Sequence, residues 1–369
     1  MMMRGDERSA TDTLCCVLDD MLEVEAGPAK EEERCQDYSK QFIVASVAIA
    51  YHAATKGGDF CCATCGIAGV DDVTLKECDG CDLVRYCSDA CQEEHKSQHK
   101  ALCKERAAEL LRDKILFRQP ESSHLGDCPI CCLPLPTEDG KSSLYPCCSK
   151  YICIGCTRAN QLLQIQSCPF CRHPLPKTME EADKMIMNRV AANDPVALHI
   201  FGMNHYSKGD YDGAIKYWTK AAEFGGAKAH YELFIIYING KDVQKDEKKG
   251  LFHLEEAAIL GHPEARCFLG AHEERSCRVE RGRIHRAVKH WIIAANLGLD
   301  RSIKTLKECY KDGHVSKEDF AAALRAYQVA VNAMKSPQRE VVEKADESKD
   351  EKCPCCLYGK LFPCNKKPT

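Results

Sequence analysis

The chain has 369 residues, 44% hydrophobic and 29% charged, with a net charge of −4. That length predicts two or three domains and room for a sizeable core, and the mild acidity argues against nucleic-acid binding, which needs a cationic face. Its 27 cysteines would suggest disulfides in a secreted protein, but the opening MMMRGDERSATDTL has no apolar signal segment, and the longest apolar run, Phe42 to Tyr51, is too short to span a bilayer. Thiols at metal-ligand spacing without a secretory signal lead us to expect a reducing compartment, cytoplasm or nucleus.

Residues 1–36 are charged and carry Cys15, Cys16 and Cys35 without a strong period, so a disordered N-terminus is expected there. DYSKQFIVASVAIAYHAATK reads as a helix ended by Gly57-Gly58, placed at 37–58.

The next module, 59–103, holds Cys62/Cys65 and Cys78/Cys81 as Cys-x-x-Cys pairs, Cys87/Cys91 as Cys-x-x-x-Cys, and His99/Cys103 as His-x-x-x-Cys. Eight donors suffice for two closed tetrahedral zinc sites. A two-residue gap makes a tight knuckle, while a three-residue gap puts residues i and i+4 on one helical face, so knuckles should precede short helices. Cys61 competes with Cys62, whose gap to Cys65 suits a knuckle better; His95 reads as a surface helix residue. With eight acidic against four basic side chains over 62–103, the module is a poor DNA reader.

This stretch closely resembles the MYND-type zinc finger, including the steps Tyr86-Cys87 and Cys91-Gln92. The resemblance implies interleaved ligands, with Cys62, Cys65, Cys87 and Cys91 on one zinc and Cys78, Cys81, His99 and Cys103 on the other. It also implies binding of short proline-containing peptides beside the second zinc. However, Lys96 stands where family members usually carry a Trp, which removes an aromatic wall of that groove.

Residues 104–126 read as a charged helical linker. The following module, 127–176, contains three further knuckles, Cys128/Cys131, Cys153/Cys156 and Cys168/Cys171, with Cys147-Cys148 between the first two. It resembles a RING finger, in which the first and third pairs share one zinc and the second and fourth share the other. RING domains separate the members of the second pair, usually as Cys-x-His. Here the two cysteines are adjacent, and Lys150 occupies the position of the His. Either Cys147 and Cys148 both ligate, or one does and Cys132 or His173 completes the site. Closed sites leave no open coordination position, so the metal is not a Lewis acid. The resemblance implies instead that Ile130, Pro169 and Arg172 dock a ubiquitin-conjugating enzyme, with the Arg fixing the thioester in a reactive pose.

A capping box at Thr178 and Glu181 opens a helix over 177–194 whose apolar face is Met185, Ile186 and Val190. From 195 to 334 the chain repeats: AIKYWTKAAEFGG (214–226), GLFHLEEAAILGH (250–262) and AVKHWIIAANLGL (287–299) align without gaps, and Ala323 to Val331 is a weaker fourth copy with Tyr327 at the position of Trp218, Leu254 and Trp291. The period predicts two helices per repeat, a Gly ending the second, and stacking into a solenoid. The pattern resembles the Sel-one-like repeat, a relative of the tetratricopeptide repeat, and implies a concave partner-binding face. The charged tail, 335–369, ends with Cys353, Cys355, Cys356 and Cys364. These are either free thiols or, at an unusual Cys-x-Cys-Cys spacing, a fifth zinc site beyond the four expected.

The fold class expected is therefore mainly α: two small zinc-stabilised cross-brace modules followed by an α-helical solenoid. No GxSxG, phosphate-loop or HExxH motif is present, nor any methyltransferase domain of the kind that accompanies the finger in enzymes. Two functions follow as expectations. One is a ubiquitin-ligase-type adaptor whose RING-like module docks the conjugating enzyme while finger and solenoid bind partners; the other is a non-catalytic scaffold binding proteins through all three. Partners are proteins, with no nucleic acid and no membrane span.

Overall fold

The structure is a computed structural model that describes residues 61–69, 74–138, 140–240, 243–276 and 284–347. The expected N-terminal helix at 37–58, the segment 1–36 and the cysteines at 353–364 lie outside the described residues. Two compact units result, the first ending at Leu111 and the second beginning at Arg112.

The first unit holds the finger. Strands β1 (Lys76–Glu77) and β2 (Arg85–Tyr86) pair antiparallel and lead into α1, Asp89–Leu116. The short helices expected here are one continuous helix of 28 residues. The reason is compositional: DACQEEHKSQHKALCKERAAELLRDKIL has no Gly or Pro and is rich in strong helix formers, so nothing interrupts it. Arg106 donates a bidentate pair to Asp82 (2.7 and 2.9 Å), tying the helix back to the loop after the second knuckle.

In the second unit β3 (Ser142–Tyr145) and β4 (Lys150–Cys153) form an antiparallel hairpin, followed by α2 (Ile154–Leu162). Cys128, Leu135, Tyr145, Ile152, Cys153 and Cys168 make its small core. Then α3 (Met179–Ala191) begins at Thr178, whose side chain accepts from the Glu181 N–H at 3.2 Å. Glu181 returns the bond to the N–H of Lys177 at 2.7 Å, one residue earlier than a standard capping box. Ala182, Ile186 and Val190 are its buried face, and Met185 is half-buried.

The repeats form consecutive packed helix pairs: α4 (Pro195–Ser207) with α5 (Tyr211–Glu223), α6 (Ala227–Asn239) with α7 (Glu247–Ile259), and α8 (Pro263–Ser276) with α9 (Ile284–Asn296). Next come α10 (Asp300–Lys311), α11 (Lys317–Ala333) and α12 (Pro337–Glu347). The second helix of each aligned copy stops at a glycine in the left-handed region, Gly225, Gly261 and Gly298 (φ 78°, 84° and 86°), as helix-ending glycines do. Trp218 and Trp291 are 1% exposed and central to the two larger apolar clusters. No helix among the described residues is long and apolar enough to cross a membrane.

Three histidines are buried neutral among these elements. His290 packs on Phe117 (4.7 Å between ring centroids), and His124 and His262 stack at 4.3 Å. Burial first, then neighbouring positive charge (Arg266 and Arg286; Lys228), pulls His290 and His124 down to about 3, and His262 falls well below 6.5 through burial and His124. Below pH 6.5 the unfolded chain takes up protons that the folded chain refuses. Stability conferred by these groups is therefore complete above 6.5 and is lost as pH falls toward 3. Between pH 7 and 5 the loss should be about 2 kcal/mol per histidine. Both tryptophans of the chain lie in the repeats, so fluorescence-monitored urea melts at pH 7 and 5 read this directly. The loss should shrink in His290→Leu; an identical pH dependence in that variant would contradict the assignment.

Candidate metal centres

Four groups of donors converge, each with its ligand atoms within 4.8 Å of one another. They are Cys62, Cys65, Cys87 and Cys91; Cys78, Cys81, His99 and Cys103; Cys128, Cys131, Cys153 and Cys156; and Cys147, Cys148, Cys168 and Cys171. Four thiolates at a Zn–S distance of about 2.3 Å stand about 3.8 Å apart in a tetrahedron. The sulfur–sulfur distances are 3.5 and 3.6 Å in the first group, 3.7 Å in the second and third, and 3.4 and 3.8 Å in the fourth. His99 offers Nε2 at 3.1 Å from Cys81 Sγ. The donor set, its near-tetrahedral spacing and its lack of disulfides fit zinc; each group is closed, with no position left for a substrate.

Local structure explains each group. His99 and Cys103 sit one turn apart on α1, while Cys87 and Cys91 flank its start. Cys61 bridges Ala68 and joins no group. His95 stacks on His99 at 5.6 Å and shares a 3.1 Å hydrogen bond with the buried Tyr86 hydroxyl, holding the ligand ring from behind. That supporting role leaves a signal in the sequence, a His one helical turn before a ligand His.

In the RING-like module, Cys147 and Cys148 occupy the four-residue turn between β3 and β4. Consecutive side chains on a strand point to opposite faces, but a turn frees them from that alternation, which lets adjacent cysteines reach one ion. Cys132 and His173 stay outside: Cys132 is exposed, and His173 turns to its neighbour's carbonyl. Lys150 instead lies 5.9 Å from the Phe170 ring centroid.

A further regularity escaped the sequence reading. CPICCLPLP (128–136) and CPFCRHPLP (168–176) are copies 40 residues apart. Both knuckles close alike: Cys132 and Arg172 donate to the carbonyls of Cys128 and Cys168 (2.8 Å each), and Cys128 and Cys168 donate to those of Leu133 and His173 (2.9 and 2.8 Å). The residue after each knuckle is left-handed, with φ of 54° at Cys132 and 62° at Arg172; in the finger the same place is Gly66, at 73°. At the knuckle tips Ile130 is 42% and Phe170 45% exposed. Pro169 is half-buried and Arg172 exposed.

Thiol acidity is divided within each group. Hydrogen bonding from Cys153, opposed by burial, holds Cys128 down at about 4, and Cys153 is pushed far up in consequence. Cys148 sits at about 5 through its bond from Cys147, which rises correspondingly. At Cys62 burial is the largest influence and opposes ionisation, but backbone N–H groups of Cys65 and Cys87 outweigh it and bring the thiol to about 6. Zinc bound at these groups would complete the ionisation of the thiols and release their shared protons.

Comparison with known proteins finds matches to the finger and to the repeats. The MYND finger family matches residues 62–103, and the Sel1 repeat matches 187–224, 227–262 and 263–299. The chain is similar to DAP3-binding cell death enhancer 1 of Mus musculus (24% identical over 200 residues, 44% of this chain and 39% of that one) and of Rattus norvegicus (23% over 205 residues, 45% and 40%). It thus spans about two fifths of the length of these curated relatives. Among solved structures, a Sel1 repeat protein from Oxalobacter formigenes aligns at a TM-score of 0.35 with 24% identity, covering 46% of this chain and 78% of that one. The protective antigen c5321 of uropathogenic Escherichia coli, which displays an SLR fold, aligns at 0.32 with 19% identity, over 48% and 37%. The chain thus carries a stretch matching the MYND finger at 62–103 and three matching the Sel1 repeat across 187–299, which together with the four donor groups support a zinc-binding, protein-interaction role.

Proposed function

We propose that the chain is a ubiquitin-ligase-type adaptor in which the RING-like module docks a ubiquitin-conjugating enzyme and the MYND finger and repeats bind the proteins to be modified. The observation that carries this reading is the exposure of apolar side chains on a module with almost no core to spare. Ile130 and Phe170 stand out from the two knuckle tips, and Leu162 and Leu163, at the end of α2, are 67% and 72% exposed. Apolar anchors of this kind dominate interface energies. Arg172 beside them offers a planar fork that can bond two partners at once, suited to holding a thioester in place. The chain contributes no nucleophile in this scheme; the conjugating enzyme's own cysteine carries the ubiquitin.

Autoubiquitylation by the full zinc-loaded chain, across a panel of conjugating enzymes, tests the proposal. Activity should appear with at least one of them and fall at least tenfold in Ile130→Ala and in Arg172→Ala. Alanine keeps a β-carbon at the left-handed position, so its effect reports the lost guanidinium rather than relieved backbone strain. No activity with any conjugating enzyme would leave the scaffold reading, which Lys150 in place of the usual RING His favours. The mouse and rat relatives are named for binding another protein, which suits either reading of the repeats.

A further inference from the structure

Arg339, near the start of α12, is 3% exposed. Its Nη1 donates to the carbonyls of Pro134 (2.7 Å) and Met334 (2.6 Å), and its Nη2 to the carbonyl of Leu133 (3.3 Å) and to Cys131 Sγ (3.4 Å). All four Nη hydrogens thus meet acceptors, three of them at or just after the first knuckle. Among the described residues no carboxylate pairs with this guanidinium.

A guanidinium keeps its proton, so a buried one needs negative charge nearby. Arg266 shows one solution. It is fully buried, and it points at the carbonyls of Leu116 and Arg118, where the end of α1 supplies the negative pole of a helix dipole. Arg339 has no such helix end in reach apart from one Met334 carbonyl. What it faces is the group Cys128, Cys131, Cys153 and Cys156, and four thiolates around Zn²⁺ carry a net charge of −2. Two more contacts seat the helix. Gly155 of α2 leaves so little room that a β-carbon there would lie 3.0 Å from the backbone nitrogen of Arg339, and Lys141 pairs with Glu343 at 2.9 Å.

We infer that Arg339 is the charge partner of the zinc–thiolate centre formed by Cys128, Cys131, Cys153 and Cys156, so that metal loading of this centre and docking of α12 on the RING-like module depend on each other. Each strengthens the other by the same factor, as linkage requires. The helix after the repeats is then a working part of a module some 200 residues earlier (205 residues separate Pro134 from Arg339). The inference rests on zinc occupying that centre and is independent of ligase activity.

The test uses the full zinc-loaded chain as wild type, Arg339→Met and Arg339→Lys. Zinc release to a chelator is timed, and iodoacetamide labelling is mapped by mass spectrometry. In Arg339→Met one of the ions should leave about 10–100-fold faster, the usual effect of removing a group that supports a metal ligand. Increased labelling should be confined to Cys128, Cys131, Cys153 and Cys156. Arg339→Lys, with charge but no fork, should fall between. In the wild type, emptying this centre should expose the amides of residues 337–343 to hydrogen exchange, a measurement that stands even where a variant fails to fold. Wild-type release kinetics in Arg339→Met, or an α12 still protected after the centre is emptied, would overturn the inference. A wild-type chain with no zinc at these four cysteines would instead remove the metal reading on which it rests.

Discussion

Stripping zinc from the full chain is expected to unfold the finger and the RING-like module while the repeats keep their structure. Among the described residues of the finger the buried side chains are Cys62, Cys81, Tyr86 and His99, of which only Tyr86 is not a metal ligand. In the RING-like module the buried apolar side chains beyond the ligands are Leu135, Tyr145, Ile152 and Ile154 among the described residues. Fully burying such side chains contributes about 1.5–3 kcal/mol each, against roughly 1–2 kcal/mol of backbone entropy for every residue ordered. Neither module balances on apolar burial. Structural zinc contributes about 10–16 kcal/mol apparent per ion near neutral pH, enough to reverse the sign. The repeats carry two apolar clusters around Trp218 and Trp291 that contain no metal ligand. With excess chelator, native mass spectrometry should show four ions leaving the described centres, amides across 61–103 and 127–176 should exchange freely, and the fluorescence of the two tryptophans should hold. Loss of the tryptophan signal in step with the metal would show a single cooperative unit, and protected finger amides without metal would remove the energetic argument.

Much of this was legible in the residues because metal coordination is a local rule. Knuckle spacing at Cys62/Cys65 or Cys168/Cys171 fixes which thiols can share an ion within a few residues, and helical spacing does the same for His99 and Cys103. The repeat period was equally plain, since each copy solves the same packing problem with Trp218, Leu254 or Trp291. The adjacent cysteines at 147 and 148 were readable only in part: their use depends on lying in a hairpin turn, which the strands on either side decide. The unbroken run of α1 was obscured by assigning its ends to separate modules, although no residue within it favours a break. Arg339 was not readable at all, because its partners at the first knuckle are over 200 residues away in the chain and an arginine in a charged tail looks like an ordinary surface residue.

The largest effect in the repeats should come from an exchange between a glycine and a tryptophan. Seven residues into the first helix of successive repeats stand Gly202, Phe234 and Gly270, and the matching positions of the second helices hold Trp218, Leu254 and Trp291. The small residue occurs where the partner is Trp, and the large one where it is Leu. A β-carbon on Gly202 would lie 2.5 Å from Trp218 Cδ1 and Nε1, and one on Gly270 would lie 2.4 Å from Trp291 Nε1. Each indole also donates to the carbonyl three residues before its glycine, His199 or Cys267, at 3.2 Å. In a free helix alanine is favoured over glycine by about 1 kcal/mol. Here the clash should outweigh that preference, and Gly202→Ala should destabilise the repeats by about 1–3 kcal/mol. Trp218→Leu alone should cost about 2–4 kcal/mol through the cavity and the lost hydrogen bond. In the Trp218→Leu background the obstruction is gone, so Gly202→Ala should then stabilise by up to about 1 kcal/mol. Urea melts of the wild type, the two single variants and the double variant, followed by the remaining tryptophan and by far-ultraviolet circular dichroism, measure this change of sign. Equal destabilisation by Gly202→Ala with the indole present and with it replaced would show that the glycine serves something other than the ring packed over it.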